Sequence, residues 1–172
     1  MSKPKYLLVD GYNIIFFWEN LKSLAQNSLD HARVRLIEML SNFSGFTHEN
    51  IILVFDAHKV NGGIENVERR NNIIVVYTKE KETADNYIER AVKVLAKKYS
   101  VRVATSDATE QIIILGSGAF VVSAAAFEDE VNATLGDISK IVGKKPIKNN
   151  LLIDNLDKDT MQKLEQMRMN RH

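Results

Sequence analysis

The chain has 172 residues, 45% of them hydrophobic, which is enough for one well-filled core and too little for two typical domains. It contains no cysteine, and that excludes disulfides, thiolate catalysis and Cys-based zinc or iron–sulfur sites. The net charge of +1 divides unevenly: Lys140 to His172 carries eight Lys/Arg against four acids, or +4, leaving −3 on the first 139 residues. An acidic body with a basic tail suits a polyanion gripped at a distance from the acids, and equally a solvated amphipathic tail helix.

Tyr6 to Val9 is a short apolar run that reads as a buried strand. The residues before it lack the apolar core of a signal peptide, and no stretch is apolar over the thickness of a bilayer, so a soluble cytoplasmic protein is expected, with no membrane contact. Phe16, Phe17 and Trp18 fall in an early helix and read as structural. Ser28 to Phe43 is a helix capped by Ser28, with Ala32, Leu36, Met39, Leu40 and Phe43 at helical spacing. Ile51 to Phe55 is a second strand, apolar throughout as a strand covered on both faces must be. Ala57 to Asn72, with Gly62-Gly63, reads as a polar loop, and Ile73 to Tyr77 as the third strand.

Thr83 caps a helix expected to run to about Lys98, burying Ala84, Tyr87, Ile88, Ala91, Val94 and Leu95. Val101 to Ala104 and Ala119 to Val122 are further strands; Thr109 to Leu115 and Ser123 to Leu135 are helices. Gly143 to Asn150 resembles a linker, and Asp157 to Met169 is a terminal helix that turns Met161, Leu164 and Met167 or Met169 toward something apolar. Strands alternating with helices imply an α/β fold with a mostly parallel sheet.

Such sheets collect functional groups beyond the carboxyl ends of their strands. Asp10, Asp56 and Asp107 each follow an apolar run, and Asp85 lies in the first turn of a helix, where the helix dipole by itself favours a carboxylate. Converging carboxylates repel, so a cation is the economical partner, and a site of Asp and Asn without Cys or a His pair suits Mg²⁺ or Mn²⁺. His31, His48, His58 and His172 are scattered without the spacing of a zinc helix. Gly11 permits a tight turn after Asp10, and Asn13 returns an amide beside it. Glu89 and Arg90 read as a surface pair.

Four segments then carry a family resemblance: Val9-Asp10-Gly11-Tyr12-Asn13, Val54-Phe55-Asp56-Ala57-His58, Thr83 to Arg90 around Asp85, and Thr105 to Gln111 around Asp107. In content and order they resemble the motifs of the YacP-like NYN ribonucleases, a branch of the PIN-like nucleases. The resemblance implies a three-layer Rossmann-like PIN/NYN fold with a central sheet of about five strands and a C-terminal helical tail. Residues 1–146 would form the nuclease domain and 147–172 a basic helical extension. It further implies a Mg²⁺- or Mn²⁺-dependent endoribonuclease with a catalytic, metal-holding set of Asp10, Asp85, Asp107 and Asp56, acting on RNA, mRNA above all, with the ribosome as a candidate partner.

On this reading one or two ions activate a water and leave 5′-phosphate and 3′-hydroxyl ends. Asn13 and Ser106 orient ligands or phosphate, and His58, Lys59, Arg69, Arg70, Lys79 and Lys81 are candidate phosphate contacts in loops on the active side. Tyr12 could stack on a base or pack in the core or at the rim. Two rivals stand beside it. A non-catalytic RNA- or ribosome-binding module would have little use for the full acidic set. A haloacid-dehalogenase-like phosphohydrolase usually has a second Asp two residues after the first, where this chain has Tyr12.

Overall fold

The computed structural model describes residues 2–57, 65–142 and 152–169; of residues 142 and 152–157 only the backbone is described. In chain order the elements are β1 (Lys5–Asp10), α1 (Gly11–Phe17), α2 (Glu19–Asn27), α3 (Leu29–Thr47), β2 (Asn50–Phe55), β3 (Asn66–Arg70) and β4 (Ile73–Tyr77). There follow α4 (Ala84–Leu95), β5 (Ser100–Ala104), α5 (Ala108–Gly116), β6 (Phe120–Val122), α6 (Ala124–Val142) and α7 (Leu152–Met169). The strands form one sheet in the order β3-β4-β2-β1-β5-β6, parallel except for β3.

Alternation along the strands sends their side chains into two cores. Leu7, Val9, Leu53, Phe55 and Val75 meet α1, α2, α3 and α6 on one face. Tyr6, Leu8, Ile52, Val54 and Val76 meet α4, α5 and α7 on the other. This is the three-layer α/β arrangement expected of strands that are apolar on both sides. No helix among the described residues is long and apolar enough to cross a membrane.

Among the described residues the sheet has six strands, and the addition is β3, inside the stretch read as a polar loop. Only Val67 of its five residues is apolar, because an edge strand that pairs on one side needs little more to hold it. A two-residue turn, Asn71-Asn72, joins it to β4, and Asn71 takes the left-handed conformation at φ 53°. Asn72 donates to the Ser41 carbonyl at 3.0 Å and ties the turn to α3.

Element ends also shift. Ser28 caps α3 by accepting from the His31 N–H, but the helix runs on to Thr47 and stops where His48 is left-handed at φ 59°. α4 ends at Leu95, and Val92 rather than Val94 completes its buried stripe. α6 extends to Val142, and α7 starts at Leu152, not near Asp157. The linker expected at 143–150 lies outside the described residues.

α7 packs on the second core through buried Leu164, with Met161 and Met167 beside it, whereas Met169 is exposed. Its polar contacts are also specific: the Tyr6 and Thr160 hydroxyls meet, and Lys163 donates to the Tyr99 hydroxyl at 3.0 Å. Of the early aromatic run, Trp18 is buried and donates its indole N–H to the Ala124 carbonyl at 2.9 Å. Phe16 and Phe17 are not core residues; both are nearly half exposed.

Gly11 is needed for space. It opens α1 with an ordinary helical φ, and a Cβ there would come within 2.4 Å of the fully buried Phe55 ring. Gly11→Ala should therefore lose about 1–3 kcal/mol of stability through overpacking, despite the better helix propensity of alanine. Urea denaturation checks this, and an unchanged midpoint would contradict the packing argument.

Candidate active site

The chain passes from β1 to β2 and β4 on one side, then crosses to β5 and β6 on the other. The crevice between the carboxyl ends of β1 and β5 is therefore the topological switch point of the sheet. Register aligns the ends: Val9 stands opposite both Leu53 and Ala104, so Asp10, Asp56 and the Thr105–Asp107 segment emerge at one edge. A cavity of about 460 Å³ opens there, lined by Asp10, Asn13, Asp56, Asp85, Ser106 and Asp107 together with Tyr12, Phe16 and Phe17. All four aspartates singled out in the sequence reach it.

Each is held by local structure. Asp10 is the N-cap of α1 and accepts from the Asn13 N–H at 3.3 Å. Asn13 then spans the crevice, its Oδ1 accepting from the backbone N–H and the hydroxyl of Ser106 at 2.8 and 3.0 Å. Asp85 sits in the first turn of α4, whose cap Thr83 accepts from the Asn86 N–H at 3.2 Å. Thr78, fully buried, accepts from the Ala57 N–H and donates to the Glu82 carbonyl, fastening the chain after Asp56 to the turn that leads into α4.

The tightest grouping includes a residue the sequence reading left unassigned. Oxygens of Asp10, Asp85 and Glu110 all lie within 4.8 Å of one another. Glu110 is buried, and the Thr105 hydroxyl donates to its Oε2 at 2.7 Å. Its spacing from Asp107 mimics a capping box, which conceals it in the sequence. What sets it apart is the seating of α5, which buries Glu110 and Ile114 while exposing Ile112, Ile113 and Leu115.

Asp107 has another task besides lining the cavity. It caps α5, its Oδ1 accepting from the Thr109 and Glu110 N–H groups at 2.9 and 3.2 Å, and it lies outside the three-carboxylate group. Asp56 lines the cavity and adds its negative charge to the field at Asp10 without joining that group.

Burial, with the charges of Asp85 and Asp56, pushes the Asp10 carboxyl up to about 7 against the pull of the Asn13 N–H. Burial and the proximity of Asp10 and Asp85 push Glu110 up to about 8 against the Thr105 hydroxyl. These protons belong to the cluster rather than to either residue alone. Glu110 Oε1 is buried and has no hydrogen-bond partner among the described residues. An all-oxygen donor set with an orphaned buried oxygen fits a hard divalent ion such as Mg²⁺ or Mn²⁺.

The expected RNA contacts divide. Lys79 and Lys81 follow β4 and line a second cavity with Glu82, Asn86, Glu89, Arg90 and Lys93 along α4, the helix whose first turn carries Asp85. Arg69 and Arg70 are not in an active-side loop: they pair with Ile74 and Ile73, at the amino end of β4, and so lie toward the opposite edge of the sheet. Arg70 bonds Glu68 there. His58 and Lys59 lie outside the described residues.

Tyr12 is 4% exposed; it packs on Phe55 and accepts from Arg33 at 2.9 Å, so core packing describes it better than an open stacking face. Glu89 and Arg90 do not pair with each other: Glu89 accepts from Lys93 and Arg90 from α4 reaches Glu82.

Comparison with known proteins places these features in a family. The model of the YacP-like NYN domain matches residues 7–169. YacP of Bacillus subtilis (strain 168) is 41% identical over 145 residues, covering 81% of this chain and 85% of that protein. The crystal structure of Rae1 (YacP) from Bacillus subtilis, 36% identical, superposes with a TM-score of 0.70 over 96% of this chain and 95% of that one. A mutant of the same protein gives 0.69 at 36% identity, over 90% and 99%.

The raised carboxyls fix the sign of a pH effect. At Asp10 and Glu110 the folded state holds protons that the unfolded chain releases between about pH 4 and pH 8, so these groups withdraw stability as pH rises through that window. Thermal melts in chelator should show this loss, and Mn²⁺ should restore stability increasingly toward pH 8. Glu110→Gln should flatten the pH slope and weaken the response to Mn²⁺. An equal Mn²⁺ response in that variant would remove Glu110 from the cation site.

Proposed function

Because this chain belongs to the YacP-like NYN domain family, a family of nucleases, we propose that it is a divalent-metal-dependent endoribonuclease acting at the crevice between β1 and β5. The observation that carries the reading is the convergence of oxygens of Asp10, Asp85 and Glu110 within 4.8 Å, with Asp10 and Asp85 lining an open cavity and Glu110 buried beside them. Phosphodiester hydrolysis needs negative charge neutralised at the phosphate and a nucleophile available near neutral pH, and Mg²⁺ or Mn²⁺ supplies both when bound.

The chain's own residues have distinct parts. Asp10, Asp85 and Glu110 hold the cation, and Asp56 and Asp107 extend the negative field across the cavity floor. Thr105 fixes the Glu110 carboxyl by its hydrogen bond. The Asn13–Ser106 clasp keeps the two sides of the crevice at a set separation, which preserves the carboxylate spacing. Lys79 and Lys81 offer phosphate contacts outside the cavity, which hold RNA without reading its sequence. The family resemblance supports mRNA as substrate, the ribosome as partner and the cytoplasm as setting.

Purified protein should cleave a labelled RNA with Mn²⁺ or Mg²⁺, leave 5′-phosphate ends and stop in EDTA. Asp10→Asn, Asp85→Asn and Glu110→Gln should each lower cleavage by about a hundredfold or more while remaining folded. Asp107→Asn should keep the α5 cap, since Asn caps as well as Asp, yet slow cleavage; Asp107→Ala should additionally lose about 1 kcal/mol. Tight RNA binding without cleavage would replace the nuclease reading by a binding module, and phosphate release from small monoesters alone by a phosphohydrolase.

A further inference from the structure

We propose that Phe16 and Phe17 form a stacking platform for unpaired bases at the mouth of the carboxylate cavity. The proposal rests on the nuclease reading above and adds to it a base-binding site and the residues that build it. Asn13, Phe16 and Phe17 stand three and four residues apart on α1, so they share one helix face. Asn13 touches Ser106 at the reacting end, and the two phenyl rings follow about one helical turn farther out, roughly 5 Å along the axis.

Both rings are 44–47% exposed and line the same cavity as Asp10, Asp85 and Asp107. A pair of adjacent half-exposed phenylalanines beside carboxylates is poorly explained by packing, because α1 already buries Tyr12, Ile14 and Ile15 in the core. Phe16 is also held in place: its ring stacks on Tyr12 at 6.2 Å and 24°, and Tyr12 lies against Phe55 at 5.1 Å. A ring fixed in advance, as Phe16 is, loses little freedom when a ligand settles on it.

The cavity chemistry narrows the ligand. Its described lining contains no lysine or arginine, so phosphates find no cation there except a bound metal. What the outer part offers is aromatic surface. Bases in a duplex are already stacked on one another and cannot reach it; splayed, unpaired bases can, whatever their identity. The predicted preference is therefore for unpaired over paired RNA, with weak discrimination among bases.

The test uses the full chain, an unstructured RNA oligomer and the same sequence annealed into a duplex, both in Mn²⁺. Wild type should cleave the single strand and spare the duplex. Phe17→Ala should raise KM for the single strand about tenfold with a smaller change in kcat. Phe17→Trp should restore KM, whereas Phe17→Leu should not. KM unchanged in Phe17→Ala, rescue by Leu as complete as by Trp, or equal cleavage of duplex would each overturn the platform.

Fluorescence anisotropy with the oligomers in Ca²⁺ separates this from failure of the nuclease reading. If wild type cleaves no RNA yet binds the single strand through an aromatic residue 17, the platform stands and the nuclease reading falls. If it binds neither oligomer, the platform falls as well.

Discussion

Carboxylates packed this closely repel one another: two full charges 4 Å apart cost about 4 kcal/mol at an effective dielectric near 20. Asp10, Asp85 and Glu110 nevertheless come together because each is positioned by structure that does not depend on the cluster. Asp10 ends a central strand, Asp85 begins a capped helix, and Glu110 is held by Thr105. The two buried cores supply the stability against which this repulsion is tolerated. Such local cost at a site, offset elsewhere in the fold, is common where chemistry requires an arrangement that packing alone would avoid.

Parallel register turns separate sequence segments into one edge. Because β1 lies between β2 and β5, residues just past the ends of all three strands face a common space, and the Asn13–Ser106 clasp joins the two sides of the crevice. Close approach is equally demanding beneath it. Gly11 leaves room for Phe55, Phe55 supports Tyr12, and Tyr12 supports Phe16. A core contact is thereby transmitted to the mouth of the cavity.

Charge is distributed unevenly around this edge. Among the described residues the cavity is lined by acids without a lysine or arginine, whereas the groove along α4 mixes both signs: Arg90 pairs with Glu82 and Lys93 with Glu89, and Lys79 and Lys81 line it beside them. An arrangement of this kind lets a polyanion be held by its backbone beside the acids while a cation mediates contact within them. The tail helix α7 contributes on the opposite account from the one its charge suggests. It closes the second core with Leu164 and a hydroxyl contact to Tyr6 on the central strand β1.

Periodicity and strand-end acids sufficed to read the α/β class, all five of the parallel strands and the convergence of four aspartates, because those features are written locally: an apolar run, a cap, an acid at its end. Strand β3 escaped because an edge strand requires almost no apolar residues, and Arg69 and Arg70 were misplaced with it. Phe16 and Phe17 were read as structural because composition cannot say which face of a short helix meets the core. Glu110 shows the same limit at the site itself. Its spacing from Asp107 is fully explained by helix capping, and only the packing of α5 against the sheet turns its carboxylate inward to Asp10 and Asp85. The sequence by itself determined the helices and the parallel strands, and that acids gather at one edge of the sheet; the tertiary structure decided the edge strand β3 and which of those acids meet, since contact depends on how helices seat on the sheet and not on spacing along the chain.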